Sequence, residues 1–242
     1  MEKRCLVLGG TGAVGEQVCR ALASQGARVS FTYHANHARA QELAAELAAA
    51  PLAVFRLDAE DASEVVRVVD AAVAALGGLD ALVHCIAIGP RKGASEAIAD
   101  VDAATFDRVF AVNVRSAFFA CQRAACAMHD LGGAIVLLGS LASAKSVPSP
   151  ASYAATKGAL SSLAGSLAKE LGPRGICVNV VAPGLLTEGI SSALSEELHR
   201  EYLKHSAQKR LGRPQEIAAT VAMLALRDRY VTGRTIVLDG GL

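Results

Sequence analysis

Tyr153 and Lys157 stand four residues apart in Tyr153-Ala154-Ala155-Thr156-Lys157, and Ser140 lies thirteen residues upstream, just after the apolar run Ala134 to Leu138. Four residues is about one helical turn, so a helix here puts the phenol and the amine on one face. A phenol titrates near about 10 and is a poor proton carrier at neutral pH, but an ammonium beside it favours the phenolate. Ser140, leaving a strand as the Tyr153 helix begins, can hydrogen-bond a substrate carbonyl oxygen while Tyr153 delivers the proton. Together these groups reduce a carbonyl, provided something donates hydride.

That donor is signalled near the amino terminus. Leu6-Val7-Leu8 reads as a strand and runs into Gly9-Gly10-Thr11-Gly12-Ala13-Val14-Gly15, where Gly10, Gly12 and Gly15 satisfy G-x-G-x-x-G. Val14, Val18, Ala21 and Leu22 then recur at helical spacing. In a strand, turn and helix, such glycines let the backbone approach a pyrophosphate at the positive end of the helix. An ordinary glycine-rich turn is the alternative, and the distant Ser/Tyr/Lys set weighs against it. At the end of the second strand, an acid would bind the adenosine ribose of NAD and repel a 2′-phosphate. The chain has Thr32-Tyr33-His34-Ala35-Asn36 there and no acid, so NADP(H) is expected, with Tyr33 and His34 beside the adenosine and Arg39 as a reserve phosphate contact.

Positioning these groups requires a sheet. Apolar runs at Cys5 to Leu8, Arg28 to Tyr33, Ala53 to Leu57, Ala81 to Ile86, Ala134 to Leu138, Cys177 to Val181 and Arg234 to Leu238 alternate with helical stretches, one of them the alanine-rich Gln41 to Ala50. The alternation predicts an α/β fold: a doubly wound, seven-stranded parallel sheet with helices on both faces. Ligands gather at the carboxyl ends of such strands, where the glycine turn, Asp58, Ser140 and Pro183-Gly184 all fall. Pro183 is read as the stop of the sixth strand and Gly184 as the turn after it.

The 242 residues fit one dinucleotide-binding and catalytic domain, 1–242, of Rossmann type. A net charge of +1 with dispersed charges speaks against a nucleic-acid partner. No apolar run is long enough for a membrane span or a signal segment, so a cytoplasmic chain is expected. The six cysteines, Cys5, Cys19, Cys85, Cys121, Cys126 and Cys177, fall within apolar patterns without C-x-x-C pairing and read as buried free thiols. No metal site is expected, since the histidines also lack ligand spacing.

From Arg4 to Gly241 the order and spacing of these motifs resemble the short-chain dehydrogenases/reductases, and within them the 3-oxoacyl-[acyl-carrier-protein] reductases. The resemblance also covers Asn113 in Val112-Asn113-Val114, Asn179 to Gly184 with Thr187, Thr232-Gly233 and Asp239-Gly240-Gly241. It implies that Asp58 touches adenine, a role compatible with capping the next helix. It also implies that Lys157 binds the nicotinamide ribose, that Thr187 bonds the nicotinamide carboxamide, and that Asn113 holds a water linking Lys157 to solvent; a polar packing contact is the plainer role for Asn113. Residues 188–208 are expected to form a mobile helical lid, and a homotetramer is expected through the helices near Phe106 to Met128 and Tyr153 to Leu171.

Two departures stand out. His84-Cys85-Ile86-Ala87 replaces the Asn-Asn-Ala-Gly stretch of most relatives and resembles the enoyl-[acyl-carrier-protein] reductases, yet those space tyrosine and lysine by seven and lack the upstream serine. His84 itself reads as a packed strand-end histidine. The basic patch on which similar reductases dock acyl carrier protein is half missing, since Arg174 is kept but Met128-His129-Asp130-Leu131 is not basic; Lys204, Lys209, Arg210 and Arg213 are substitutes or a solvated face. The expected reaction is NADPH-dependent reduction of a 3-oxoacyl thioester. Reduction of a free ketone, enoyl reduction and a non-catalytic cofactor-binding regulator remain alternatives.

Overall fold

Side chains alternate across the strands: Cys5 and Val7 point to one face of the sheet, Leu6 and Leu8 to the other, and each joins a separate apolar cluster. A strand buried on both faces needs helices on both sides, and the chain supplies them. The computed structural model describes residues 2–47, 53–89, 97–128, 132–227 and 229–242. Its elements run β1 (Arg4–Leu8), α1 (Ala13–Ala23), β2 (Arg28–Tyr33), α2 (His37–Leu47), β3 (Val54–Arg56), α3 (Ala62–Leu76), β4 (Ala81–His84), α4 (Ala103–Phe110), α5 (Ser116–Ala127), β5 (Gly133–Leu138), α6 (Ala151–Leu171), β6 (Ile176–Pro183), α7 (Glu196–His205), α8 (Pro214–Leu226) and β7 (Thr235–Leu238). The strands form one α/β domain in the order β3-β2-β1-β4-β5-β6-β7, every pair parallel.

One face carries Leu6, Leu82, Ile135 and Val178 under α3, α5 and α6, and the other carries Val7, Phe31, Val83 and Val136 under α1, α2 and α8. Each fully buried aliphatic side chain contributes about 1.5–3 kcal/mol, so this double layer is the main source of stability. The strand order reverses between β1 and β4, and the chain leaves their carboxyl ends toward opposite faces of the sheet, the position at which such folds bind ligands.

Several boundaries differ from expectation. β4 ends at His84 rather than Ile86. β6 runs on through Pro183, which pairs with Leu238, because Gly184 N–H supplies the next ladder bond to Leu238 O at 2.9 Å and proline's missing donor is not needed there. The long helix expected around Phe106 to Met128 is interrupted by a π-helical turn, Ala111–Arg115, between α4 and α5. The segment 188–208 is not one helix: a short 3₁₀ turn, Gly189–Ala193, precedes α7, which Ser195 caps. Residues 48–50 of the alanine-rich stretch lie outside the described residues.

All six cysteines are free, but Cys85 is only half-buried, and Cys126, on the outer side of α5, is exposed. Among the described residues, no helix is long and apolar enough to cross a membrane, and no group of three or more candidate metal-ligating side chains occurs.

Candidate active site

Ser140 follows β5 and caps a 3₁₀ turn, Leu141–Ser143, its hydroxyl accepting from Ala142 N–H at 3.3 Å. The chain then returns to start α6 at Ala151, so Tyr153 lies in the first turn of α6 and Lys157 one turn further. The expected face is formed: Lys157 Nζ lies 5.6 Å from the centre of the Tyr153 ring. Lys157 is 1% exposed, and its amine donates to Leu138 O at 2.8 Å. Burial brings its pKa down to about 8.

The electrostatics of Tyr153 differ from the sequence expectation. Burial raises the phenol pKa, and the hydrogen bond with Ser140 is what pulls it down. The lowering pull on the phenol comes from Ser140, while Lys157 Nζ, 5.6 Å from the ring centre, gives one of its three donors to Leu138 O.

Asn113 is fully buried in the π turn. Its Oδ1 accepts from Ile88 N–H at 2.8 Å, and its Nδ2 donates to Ile88 O at 2.9 Å and to Thr156 Oγ1 at 3.1 Å. Thr156 Oγ1 in turn donates to Tyr153 O at 2.7 Å. The amide is therefore a clamp between the segment after β4 and the first turns of α6, a polar packing contact.

The glycine turn leaves β1 at Gly9, with φ +80°. Thr32 in β2, which the sequence reading passed over, fastens it: Gly9 N–H donates to Thr32 Oγ1 at 2.9 Å and Gly10 N–H to Thr32 O at 2.8 Å. A Cβ on Gly10 would stand 2.6 Å from Phe31 Cβ, and one on Gly15 would stand 2.1 Å from Gly9 O. Both glycines are demanded by packing alone. Gly12 is different, because its Cβ would meet only Gly9 O at 3.4 Å. It is the N-cap of α1 and offers no side-chain cap, so the first N–H groups of α1 are left for an anionic ligand. These residues fit a dinucleotide pyrophosphate, with Thr11 and Val14 flanking the turn.

At the carboxyl end of β2, Tyr33 closes the strand, its ring 5.5 Å from that of His37, and His34 is exposed beyond it. Arg39 is not held in reserve. Its guanidinium makes a bidentate pair with Glu16, both bonds 2.7 Å, and a further bond to Glu42 at 2.8 Å. Asp58 follows β3, but it does not cap α3; Asp61 does, accepting from Ser63 and Glu64 N–H, while Asp58 Oδ1 accepts from Glu60 N–H at 3.0 Å. On the other side, Pro183 and Gly184 end β6. Gly184 is required by close approach, since a Cβ would sit 2.1 Å from the Tyr202 hydroxyl. Thr187 is exposed, and its N–H donates to Gly212 O at 2.9 Å.

The glycine turn, Tyr33, Asp58, the segment after His84, Ser140 and Gly184 thus all lie at the carboxyl edge of one sheet. The basic candidates fare less well. Arg174 Nη2 donates to Ala125 O and Met128 O at 2.8 and 2.7 Å, and Arg210 pairs with Glu216 at 2.7 Å. Residues 129–131 lie outside the described residues.

A dinucleotide turn at β1 and a Ser/Tyr/Lys set beyond β5 on one parallel sheet define a nicotinamide-type oxidoreductase. Comparison with known proteins gives the family. A family model described as Enoyl-(Acyl carrier protein) reductase matches residues 10–242. The 3-oxoacyl-[acyl-carrier-protein] reductase FabG of Staphylococcus aureus is 33% identical over 246 residues, covering 100% of this chain and 98% of the relative. The cyclic-di-GMP-binding biofilm dispersal mediator protein of Escherichia coli K12 is 37% identical over 243 residues, covering 98% and 96%. A short chain dehydrogenase from Burkholderia cenocepacia J2315, solved in complex with NADP, superposes with a TM-score of 0.88 at 32% identity, covering 99% of this chain and 97% of that one. The chain belongs to the short-chain dehydrogenase/reductase family and is an oxidoreductase of that family.

Proposed function

We propose that this chain reduces a ketone to a secondary alcohol with NADPH, and that the ketone is carried on a 3-oxoacyl thioester. The observation that carries the reading is Tyr153 and buried Lys157 one helical turn apart in α6, with Lys157 Nζ 5.6 Å from the centre of the Tyr153 ring and Ser140, just after β5, acting to lower the phenol pKa. NADPH, when bound, supplies the hydride. The Gly10/Gly12/Gly15 turn and the uncapped start of α1 hold its pyrophosphate, while Pro183, Gly184 and Thr187 hold the nicotinamide side. Ser140 polarises the substrate oxygen and Tyr153 hands it a proton. Lys157, whose pKa lies at about 8, resupplies charge and proton to the phenol near neutrality. Asn113 and Thr156 keep the first turns of α6 in register with this work.

NADPH is favoured over NADH because β2 ends in Tyr33 and His34 with no carboxylate to repel a 2′-phosphate, and because a relative in the comparisons was solved with NADP. Glu16, the acid on α1, is already neutralised by Arg39. The thioester rests on the likeness to 3-oxoacyl reductases. A coenzyme A thioester stands in for a carrier-protein thioester in the assay.

The test is NADPH oxidation with acetoacetyl-coenzyme A set against unactivated ketones and an enoyl thioester. Turnover of the first, with Tyr153→Phe falling below about 1% while still binding NADPH, is the expected outcome. Retention of more than a few per cent by Tyr153→Phe would contradict the assignment. Inertness of the wild type toward every substrate would favour a binding protein, the reading to which the dispersal-mediator relative lends its name.

A further inference from the structure

His84, which opens the stretch His84-Cys85-Ile86-Ala87, ends β4 with no exposed surface. Its Nε2 lies 2.9 Å from Ser116 Oγ, and its Nδ1 has no hydrogen-bond partner. Ser116 Oγ donates to Val112 O. A hydroxyl has one proton, so once Ser116 gives it to Val112 the imidazole must bring its own to the contact. That assignment of the Ser116 proton makes His84 the neutral Nε2–H tautomer, the form on which the proposal below rests. Burial first, and the neighbouring Lys157 second, depress its pKa to about 3, which keeps a second positive charge away from Lys157.

The place where this chain of hydrogen bonds ends is specific. In an α-helix Ser116 N–H would bond Val112 O; here it bonds Ala111 O, one residue further back, which is what makes the turn π-helical. The hydroxyl of the same residue takes over at Val112 O. The extra residue rotates Asn113 to the buried side, where it clamps Ile88 and Thr156, and Thr156 binds the carbonyl of Tyr153.

We propose that His84 and Ser116 are positioning residues for the reaction: the imidazole, acting through the Ser116 hydroxyl, holds the α4–α5 junction in its π turn, and the π turn delivers Asn113 to the clamp that fixes Tyr153. The proposal rests on Tyr153 being the proton donor, but its structural half does not. No substrate or cofactor is needed to read it.

Native-state hydrogen exchange on the whole chain tests that half, because Ile88 N–H donates to the Asn113 side chain and so reports the clamp, while Val136 N–H in central β5 reports global stability. In Ser116→Ala and in His84→Leu, Ile88 exchange should accelerate about tenfold or more relative to Val136. The double variant should be no faster than the faster single, since both act through one chain of bonds. Ser116→Thr, which keeps the hydroxyl, should restore protection. Equal acceleration of both amides, or of neither, would overturn the proposal. In the wild type, imidazole ¹⁵N shifts should show the Nε2–H tautomer at pH 7, and a charged ring or the Nδ1–H form would also overturn it; this arm survives even if a variant fails to fold.

The catalytic half is read with acetoacetyl-coenzyme A. Ser116→Ala should lower kcat about tenfold with KM for NADPH within about twofold, and Ser116→Thr should recover most of it. An unchanged kcat would remove the catalytic consequence. A wild type inert toward ketones but showing the expected exchange pattern would sink the redox reading and leave the π-turn support standing.

Discussion

At the scale of single residues, the glycine turn separates two demands that a motif cannot distinguish. Gly15 is required by Gly9 O, 2.1 Å from where a Cβ would go, and backbone does not move aside cheaply. Gly12 has room within the protein and is required only if something must approach α1 from outside. Gly15→Ala should therefore destabilise the fold by about 1–3 kcal/mol in urea denaturation. Gly12→Ala should change stability by less than about 0.5 kcal/mol yet weaken NADPH binding about tenfold or more, as read by cofactor fluorescence titration. Equal effects at the two positions would mean that Gly12 is structural. The same scale governs Tyr153, whose phenol sits between an elevating burial and a lowering Ser140 bond. Ser140→Ala should accordingly shift the pH profile of kcat toward higher pH as well as lower the rate.

At the scale of elements, the catalytic geometry depends on where helices begin and how one of them is interrupted. α6 starts at Ala151, which brings Tyr153 back beside Ser140. Across from it, the π turn and Asn113 tie α6 to the end of β4. His84 at that end makes a pH prediction with a definite sign. Its pKa is depressed from 6.5 to about 3 in the folded chain, so unfolding takes up a proton between those values. The stability is fully present above about 6.5 and is lost as pH falls toward 3, at up to about 1.4 kcal/mol per pH unit. Denaturation curves between pH 6.5 and 4.5, above the range of most carboxylates, should show this slope in the wild type and lack it in His84→Leu. A flat profile in the wild type would mean that the imidazole is charged or exposed. The lid proposed for 188–208 is anchored at its far end, where Tyr202 donates to Asp239 O at 2.6 Å and Gln208 N–H to Gly240 O at 3.0 Å. Any opening must therefore hinge nearer Gly189, whose φ is +78°.

For the whole molecule, exposed aromatic surface is the informative feature. Phe106 on α4 is 43% exposed and Phe118 on α5 is 47% exposed, and a groove of about 500 Å³ between the starts of α4 and α6 is lined by Ile98, Val101, Phe106 and Ala155. Apolar area of this kind on adjacent helices suits a symmetric helix-to-helix contact, which supports the proposed homotetramer. Light scattering should report four chains for the wild type, and Phe118→Glu should halve that number or lower it further. A monomer at micromolar concentration would dismiss the assembly.

Local rules made much of this legible. The Tyr153/Lys157 pair needed only helical periodicity, the strands only apolar runs, and the glycine turn only its place between strand and helix, so the fold class and the shared helix face of Tyr153 and Lys157 followed from local chemistry. What escaped was set by partners far apart in the chain. Thr32 meets Gly9 across 23 residues, Asn113 meets Thr156 across 43, and His84 meets Ser116 across 32; no spacing rule encodes such meetings. The π turn left no mark either, since shifting one hydrogen bond back by a residue changes no side-chain pattern. Arg39 looked free until Glu16 and Glu42 were found around it, and Asp58 looked like a cap until Asp61 took that place. The charge on Lys157, finally, was settled by burial: a buried amine beside a carbonyl has a different proton affinity from the same amine in water, and only the folded chain decides which it is.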